Sequence, residues 1–511
     1  QQMYTDVRLL TMYLRVSLQK RCKKTSDTFA PVHAMHFMLL YPTMTVIIIG
    51  AGVTGAELAR RLIARKHNVV LIERDKETAR HAANRLDCTV TEASGNDPHV
   101  LTEAHIQKAD ALVAVTDSDE LNMIICGVAE SLAPKVLKIA RVRNENYVAS
   151  LDTGKDRTLG IDFLVHPDQE AALAIINAVE HGAVSDIIAF EDSPYQLTCF
   201  TIGAGSKLDG ISLINIRTVI DDVFVFVVVS VEQDNKTVIP SGGTVLHAGM
   251  RISVLTLPQH IERFYALAGF AVQPIKKIAL VGIGKVGKRV AAGLIERRSL
   301  GLFKRLFGIR PKLRWELAII DKDSTLAKHA AEEYPDARIY SGDVTDEAFI
   351  DEIALNSYDL VITATQNYEL NMITSVYLKT LGIHKTIALV QGAVMSNVAY
   401  KIGVDVAIPL KDVTVDTIMS HLGGKHLTRI HTMGAGELEV IEITISSHST
   451  AVDKSLKDIA MHGVFLILLV TNASGCSIPG GNTVLAAGDK LAVIVQVAQS
   501  DEIIKFFAGK K

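Results

Sequence analysis

Gly50-Ala51-Gly52-Val53-Thr54-Gly55 stands directly after the apolar run Val46–Ile49 and before Ala56–Arg65, whose Leu58, Leu62 and Ile63 share one helical face. A glycine fingerprint between a strand and a helix does phosphate chemistry. Gly50 permits the tight turn, Gly52 lets the backbone approach a pyrophosphate, and Gly55 lets the helix pack on the sheet. The free N–H groups at the helix start then meet the anion. Glu73 closes the next strand, Val69–Ile72. A carboxylate there accepts hydrogen bonds from both hydroxyls of an adenosine ribose and repels a 2′-phosphate, which favours NAD over NADP. Arg74 follows it, at a position that usually points away from the site. The pattern recurs as Gly282-Ile283-Gly284-Lys285-Val286-Gly287, with Asp321 closing the strand Leu317–Ile320. Lys285 adds positive charge to that second loop, where an ATP-type ligand or none is the alternative.

Two further strand ends belong to the same chemistry. Val115-Thr116-Asp117 ends a strand at the carboxyl edge of a parallel sheet, where such folds bind ligands, so Thr116 and Asp117 are expected to line the cleft. Lys138–Arg141 ends the next strand and brings Arg141 within reach of a phosphate or carboxylate. The counterparts in the second copy are Thr365, Gln366 and Leu389. An arginine has become a leucine, so two equivalent sites are not expected. Asn122 and Asn371, at matching helix starts, read as caps. His421 and His426 read as members of an exposed Gly-rich loop. The seventeen histidines show no HExxH or ligand-spaced cluster, and the five cysteines no CxxC pair, so neither a metal site nor a disulfide framework is expected. No GxSxG or Cys/His nucleophile arrangement is present.

The elements that position these residues come from an internal duplication. Ser94-Gly-Asn-Asp97 recurs as Ser341-Gly-Asp-Val344, Glu120–Met123 as Glu369–Met372, and Ile239–Leu246 as Ile478–Leu485. The order is preserved, and a basic insertion at about Gly301–Glu316, holding the single tryptophan Trp315, accounts for the change of offset. Each copy begins with short apolar strands alternating with amphipathic helices, which predicts α/β architecture with a doubly wound parallel sheet. Each copy ends in β-rich runs, about Ser185–Leu257 and Thr432–Val497, which predict a small α+β module. Length agrees: 511 residues suggest three or four domains at roughly 150 each.

Composition bounds the partners. The chain is 48% apolar with a net charge of −3, so no global basic field favours nucleic acid. Mean hydropathy is +0.25, yet no run of about 18 apolar residues occurs, and Val223–Val231 and Val464–Val470 read as buried strands. Residues 1–43 differ from the rest: six Lys or Arg against two acids, with no clean period. They are set aside as an extension outside the native fold that would start at Met44, the alternative being a targeting arm or a basic membrane-surface anchor.

The order GAGVTG, IERD, SGND, VTDSDELNM, IARVRN and IPSGGTVLHAG, repeated, resembles the RCK (KTN) family of regulatory proteins of bacterial Trk-type potassium uptake systems. The resemblance covers Met44–Lys511. It implies two Rossmann-like RCK N-terminal domains, 44–165 and 275–408, each followed by an RCK C-terminal domain, 185–268 and 428–508. It implies a cytoplasmic, nucleotide-sensing gating subunit and not an enzyme. The subunit would lie peripherally on the inner face of the membrane, as a homo-oligomeric ring against a membrane-embedded potassium transporter subunit (TrkH/TrkG type). The implied ligand is NAD(H), with ATP or ADP as alternatives. Gly50–Thr54, Glu73, Thr116, Asp117 and Arg141 match the family's first nucleotide site, and Gly282–Gly287 with Asp321 the second. An NAD-dependent oxidoreductase is the competing class. It lacks an evident acid–base dyad beside a nicotinamide, and it usually couples one fingerprint to one larger substrate domain.

Overall fold

The computed structural model describes residues 44–509 apart from short internal stretches, of which 148–157 and 297–314 are the longest. Residues 1–43, most of the basic insertion and His426 lie outside the described residues. Trp315, at the end of the insertion, is buried in the core of the second copy and belongs to the sheet it precedes.

Thr45–Ile49 (β1), Asn68–Glu73 (β2), Thr89–Glu92 (β3), Ala111–Ala114 (β4), Leu137–Arg141 (β5) and Phe163–Val165 (β6) form a parallel sheet in the order β3-β2-β1-β4-β5-β6. Ile47 and Ile49 face one layer of helices and Val46 and Ile48 the other, which is why β1 reads as an unbroken apolar run. The second copy repeats the arrangement with Lys277–Val281 (β12), Glu316–Asp321 (β13), Arg338–Ser341 (β14), Leu360–Thr363 (β15), Lys385–Val390 (β16) and Val406–Pro409 (β17), in the order β14-β13-β12-β15-β16-β17. After each comes a five-stranded antiparallel sheet. The first contains Ile187–Ala189 (β7), Gln196–Thr201 (β8), Phe226–Gln233 (β9), Lys236–Val238 (β10) and Arg251–Thr256 (β11). The second contains Leu427–Met433 (β18), Leu438–Thr444 (β19), Phe465–Asn472 (β20), Gly475–Ser477 (β21) and Lys490–Gln496 (β22). The two small sheets share a core in which Leu197, Val229 and Leu255 meet Val440, Leu468 and Ile494.

The helices that matter to the site are Val53–Ala64 (α1), Asp119–Leu132 (α2), Pro167–Glu180 (α3), Lys285–Glu296 (α4), Tyr368–Thr380 (α5), Ala393–Ile402 (α6), Leu410–Leu422 (α7) and Ser500–Ala508 (α8). The copies exchange a helix. From the end of β6, α3 crosses to the second copy and buries Ala172, Ile175, Ile176 and Val179 against Val286, Val290 and Leu294 around α4. From the end of β17, α7 crosses back and buries Val415, Ile418, Met419 and Leu422 against Leu58 and Leu62 of α1. Each parallel sheet therefore completes its core with a helix from the other half.

The two exchanges differ in chemistry. Arg61 of α1, 4% exposed, donates to Glu57 (3.0 Å), Asp412 and Asp416 of α7 (each 2.5 Å) and Thr432 of β18 (2.7 Å). One turn on, Arg65 pairs with Glu439 of β19 and lies 3.6 Å from Asp501 of α8. Burial works against the Arg61 cation, but Asp416 and Asp412 outweigh it and raise its pKa. Burial likewise opposes ionisation of Glu57, yet Arg60 and Arg61 bring its pKa down from 4.5 to about 2. At the other contact the residue of α4 matching Arg61 is Gly293, where a Cβ would lie 2.2 Å from the Ile176 methyl. That contact is close and apolar.

A similar exchange of charge occurs inside the sheets. Lys138 of β5, fully buried, bonds the Val136 carbonyl (2.6 Å) and pairs with Glu130 of α2 (2.7 Å), with Asp162 at 3.8 Å. In the second copy the strand position is Thr386 and the helix position is Lys379, which meets Asp405 at 3.1 Å. Asp162 and Asp405 keep the same job, each accepting from a strand N–H at 2.8 and 2.9 Å. The lysine comes from whichever element has it.

Removing one partner of a buried ion cluster leaves uncompensated charge. Arg61→Met is accordingly expected to cost about 3–5 kcal/mol, read as a lower midpoint in urea at pH 7. The difference shrinks in acid. Glu57 is stabilising above its unfolded pKa near 4.5 and loses that contribution as pH falls towards 2, so the gap between wild type and mutant should narrow over that window.

Candidate functional site

Both glycine loops sit where the strand order reverses, between β1 and β4 and between β12 and β15, at the carboxyl ends of the strands. Gly50 has φ +102°, and a Cβ on it would press within 3.1 Å of the Thr116 backbone. A Cβ on Gly55 would lie 1.9 Å from the Gly50 carbonyl oxygen, so helix and loop touch through backbone alone. Gly52, the N-cap of α1, has nothing within 4 Å of its Cβ position: this glycine faces open space. Gly282 (φ +94°), Gly287 and Gly284 repeat these environments in the same order. Ala51, Thr54, Ile283 and Val286 are buried, whereas Val53 and Lys285 are exposed at the loop rims.

The acids hold the loops. Glu73 accepts from the N–H of Ala51 at 2.7 Å with one oxygen and of Asp75 at 2.9 Å with the other. Asp321 accepts from Ile283 at 2.8 Å and Asp323 at 2.9 Å. Each carboxylate oxygen retains a lone pair for a further donor. The first loop opens on a cavity of about 390 Å³ lined by Gly50, Gly52, Glu73, Arg74, Thr116 and Asp117, among others. That is the size of a small-molecule site. A larger cavity of about 580 Å³ lies between α3, α6, α7 and the first small sheet, and its lining includes neither loop.

Arg141 is placed differently from the sequence expectation. It does not line the first cavity; it lies behind the wall, 5% exposed. Its guanidinium donates to the Thr116 carbonyl (2.8 Å), to Asp117 (3.1 Å) and, at 3.5 Å, to the Thr54 hydroxyl, while its buried Nε–H has no partner among the described residues. Burial and then neighbouring Arg143 lower its pKa. Its carboxylate partner, Asp117, is fully exposed, so the buried cation is incompletely neutralised beside a cavity. In the second copy Leu389 occupies this position within the core, 2% exposed.

Two other expectations change. The caps of α2 and α5 are Ser118 and Asn367, accepting from Leu121 and Leu370. Asn122 and Asn371 lie one turn inside, 0% and 1% exposed, because their amides face the strand ends instead. His421 is in helix α7, its ring stacked on Phe163 with centroids 4.0 Å apart, and burial lowers its pKa. Among the described residues no group of three or more His, Cys, Asp or Glu could hold a metal ion, and no helix is long and apolar enough to cross a membrane.

Two parallel sheets with glycine loops at their switch points, each followed by a small antiparallel domain, define a duplicated Rossmann-like fold. The chain belongs to the family built from TrkA-N domains, matched at residues 46–167 and 278–409, and TrkA-C domains, matched at 197–269 and 440–508. It is 27% identical over 470 residues to Trk system potassium uptake protein TrkA homolog 1 of Methanosarcina mazei, covering 91% of this chain and all of that one. It is 24% identical over 472 residues to Trk system potassium uptake protein TrkA of Haemophilus influenzae, covering 92% and 96%. Among solved structures it shares a fold with the GsuK RCK domain (TM-score 0.51, 17% identity, 94% and 99% covered) and with the GsuK channel bound to NAD (TM-score 0.51, 17% identity, 98% and 84% covered).

The glycine environments make a prediction that needs no ligand. Gly52→Ala should leave thermal stability nearly unchanged, whereas Gly55→Ala should lower it clearly, because only the latter drives a methyl into backbone. Calorimetry of the two variants is the check.

Proposed function

We propose that the chain is the nucleotide-sensing regulatory subunit of a Trk-type potassium uptake system, binding NAD(H) at the first glycine loop. The observation that carries the reading is the first cleft itself. An open Gly52, helix N–H groups and a loop-fastening Glu73 surround one cavity, and a partly neutralised Arg141 lies behind its wall. A pyrophosphate fits the loop, and its charge would complete the neutralisation of Arg141 across the Thr116–Asp117 wall. The remaining lone pairs of Glu73 suit the hydroxyls of an unphosphorylated ribose. The names of the full-length relatives support the potassium-uptake assignment, and the NAD-bound channel of the same fold supports the ligand.

The same reading covers the partners. The subunit lies on the cytoplasmic face of a membrane-embedded potassium transporter of the TrkH/TrkG type and assembles as a homo-oligomeric ring. Ile124 and Ile373, at matching positions of α2 and α5, and Val394 of α6 are exposed apolar side chains of the kind such assembly covers. Ligand acts by binding two conformations with different affinity. ATP or ADP competes for the second loop, where Asp321 and Lys285 remain but the arginine is absent.

Calorimetric titration tests the assignment. Glu73→Ala should weaken NADH binding at the first site by about 1.5–3 kcal/mol, the scale for hydrogen bonds to a charged acceptor. Unchanged affinity would refute the ribose contact. Titrations of Gly52→Asp and Gly284→Asp, each blocking one loop, should show the first site at least about tenfold tighter than the second. Equal affinities would remove Arg141 from the explanation.

A further inference from the structure

The wall of the cleft opposite Glu73 is held by one buried amide. Asn122 Oδ1 accepts from the Thr116 N–H (2.8 Å) and hydroxyl (2.7 Å), and its Nδ2 donates to the Thr116 carbonyl (3.1 Å) and the Arg141 carbonyl (2.8 Å). Thr116 lies two residues past the end of β4 and Arg141 is the last residue of β5, so these groups fall to α2. The second copy repeats the set: Asn371 accepts from the Thr365 N–H (3.1 Å) and hydroxyl (2.5 Å) and donates to the carbonyls of Thr365 (3.1 Å) and Leu389 (2.9 Å). The set persists although Arg141 has become Leu389, so it does not depend on the arginine. Both amides are too deep to touch a ligand.

We propose that Asn122 is a positioning residue of the first site, and Asn371 of the second, fixing the β4-side wall of the cleft for the half of a dinucleotide that lies beyond the pyrophosphate. The inference deepens the reading of the first cleft as a NAD(H) site. Glu73 on β2 takes the adenosine ribose, and β4 lies on the other side of β1, so the wall set by Asn122 serves the nicotinamide half. In the first copy Arg141 adds a second donor to the Thr116 carbonyl; in the second copy Asn371 holds Thr365 without that arginine. An amide is required for chemical reasons. The site presents two donors and two acceptors, and a carboxylate of the same shape would set an anionic oxygen against two carbonyls.

The test uses Asn122→Asp and Asn122→Ala in the full chain, with Asn371→Ala as the internal control, and has two arms. Without ligand, amide exchange at residues 115–118 should rise severalfold in the Asn122 variants, while exchange at 73–75 stays as in wild type. With ligand, in the Gly284→Asp background, NADH affinity should fall about tenfold or more and AMP affinity stay within about twofold. Asn371→Ala should change neither first-site value. Equal loss of NADH and AMP, or no rise in exchange at 115–118, would overturn the proposal and reduce Asn122 to a packing residue. Failure of the wild type to bind NADH would instead count against the dinucleotide reading, with the exchange arm still deciding whether Asn122 holds the wall.

Discussion

A guanidinium buried between two halves of a duplicated chain needs carboxylates from somewhere, and here most come from the other half. Arg61 lies on the helix that starts at the first glycine loop, while Asp412 and Asp416 belong to the helix that leaves the second sheet. The same α1 reaches the second small domain through Thr432, Glu439 and Asp501. The first glycine loop, the exchanged helix and the second C-terminal domain are thereby fastened to one charged core. Burying these ions is compensated only while every partner is present, which makes the geometry of the contact specific. The apolar α3–α4 contact, with Gly293 under Ile176, imposes no such charge matching.

This asymmetry leaves the two copies of the fold with unequal charges. Backbone topology, loop glycines, loop-fastening acids and buried asparagines are shared. The charges are not: Arg141 is replaced by Leu389 in the second copy and Arg61 by Gly293, and Lys138 on a strand is answered by Lys379 on a helix. The shared features are those the backbone itself requires, namely turns without a Cβ and partners for strand-end N–H and C=O groups. The divergent ones are side-chain charges, which any nearby element can supply provided the burial is neutralised.

Much of the site was legible in one dimension because its chemistry is local. A glycine loop between a strand and a helix, with an acid ending the next strand, is a contiguous pattern, and Gly50, Gly52, Gly55 and Glu73 stand in the structure as the spacing implies. Arg141 was legible as a residue near the cleft but not as one behind its wall. A strand-end position fixes where the backbone arrives, whereas the direction of a long side chain depends on what is packed around it. The two asparagines were misread as caps for a related reason: Asn near a helix start suits both roles, and only the neighbouring strand ends, Thr116 and Arg141, distinguish them.

The sequence alone determined the duplication, the alternation of strands and helices, the parallel sheets and the glycine loops between strand and helix, since each follows from periodicity or from the steric demands of single residues. It did not show that α3 and α7 change places between the halves. An apolar helix face can be buried against its own sheet or another, and periodicity records that a face is buried without recording against what. Nor did it show that Arg61 and Arg65, polar residues on an amphipathic helix, would be among the most buried cations of the molecule. Their partners Asp412 and Glu439 lie more than 350 residues away in the chain, and a charge becomes buriable only when tertiary packing delivers the opposite charge to it.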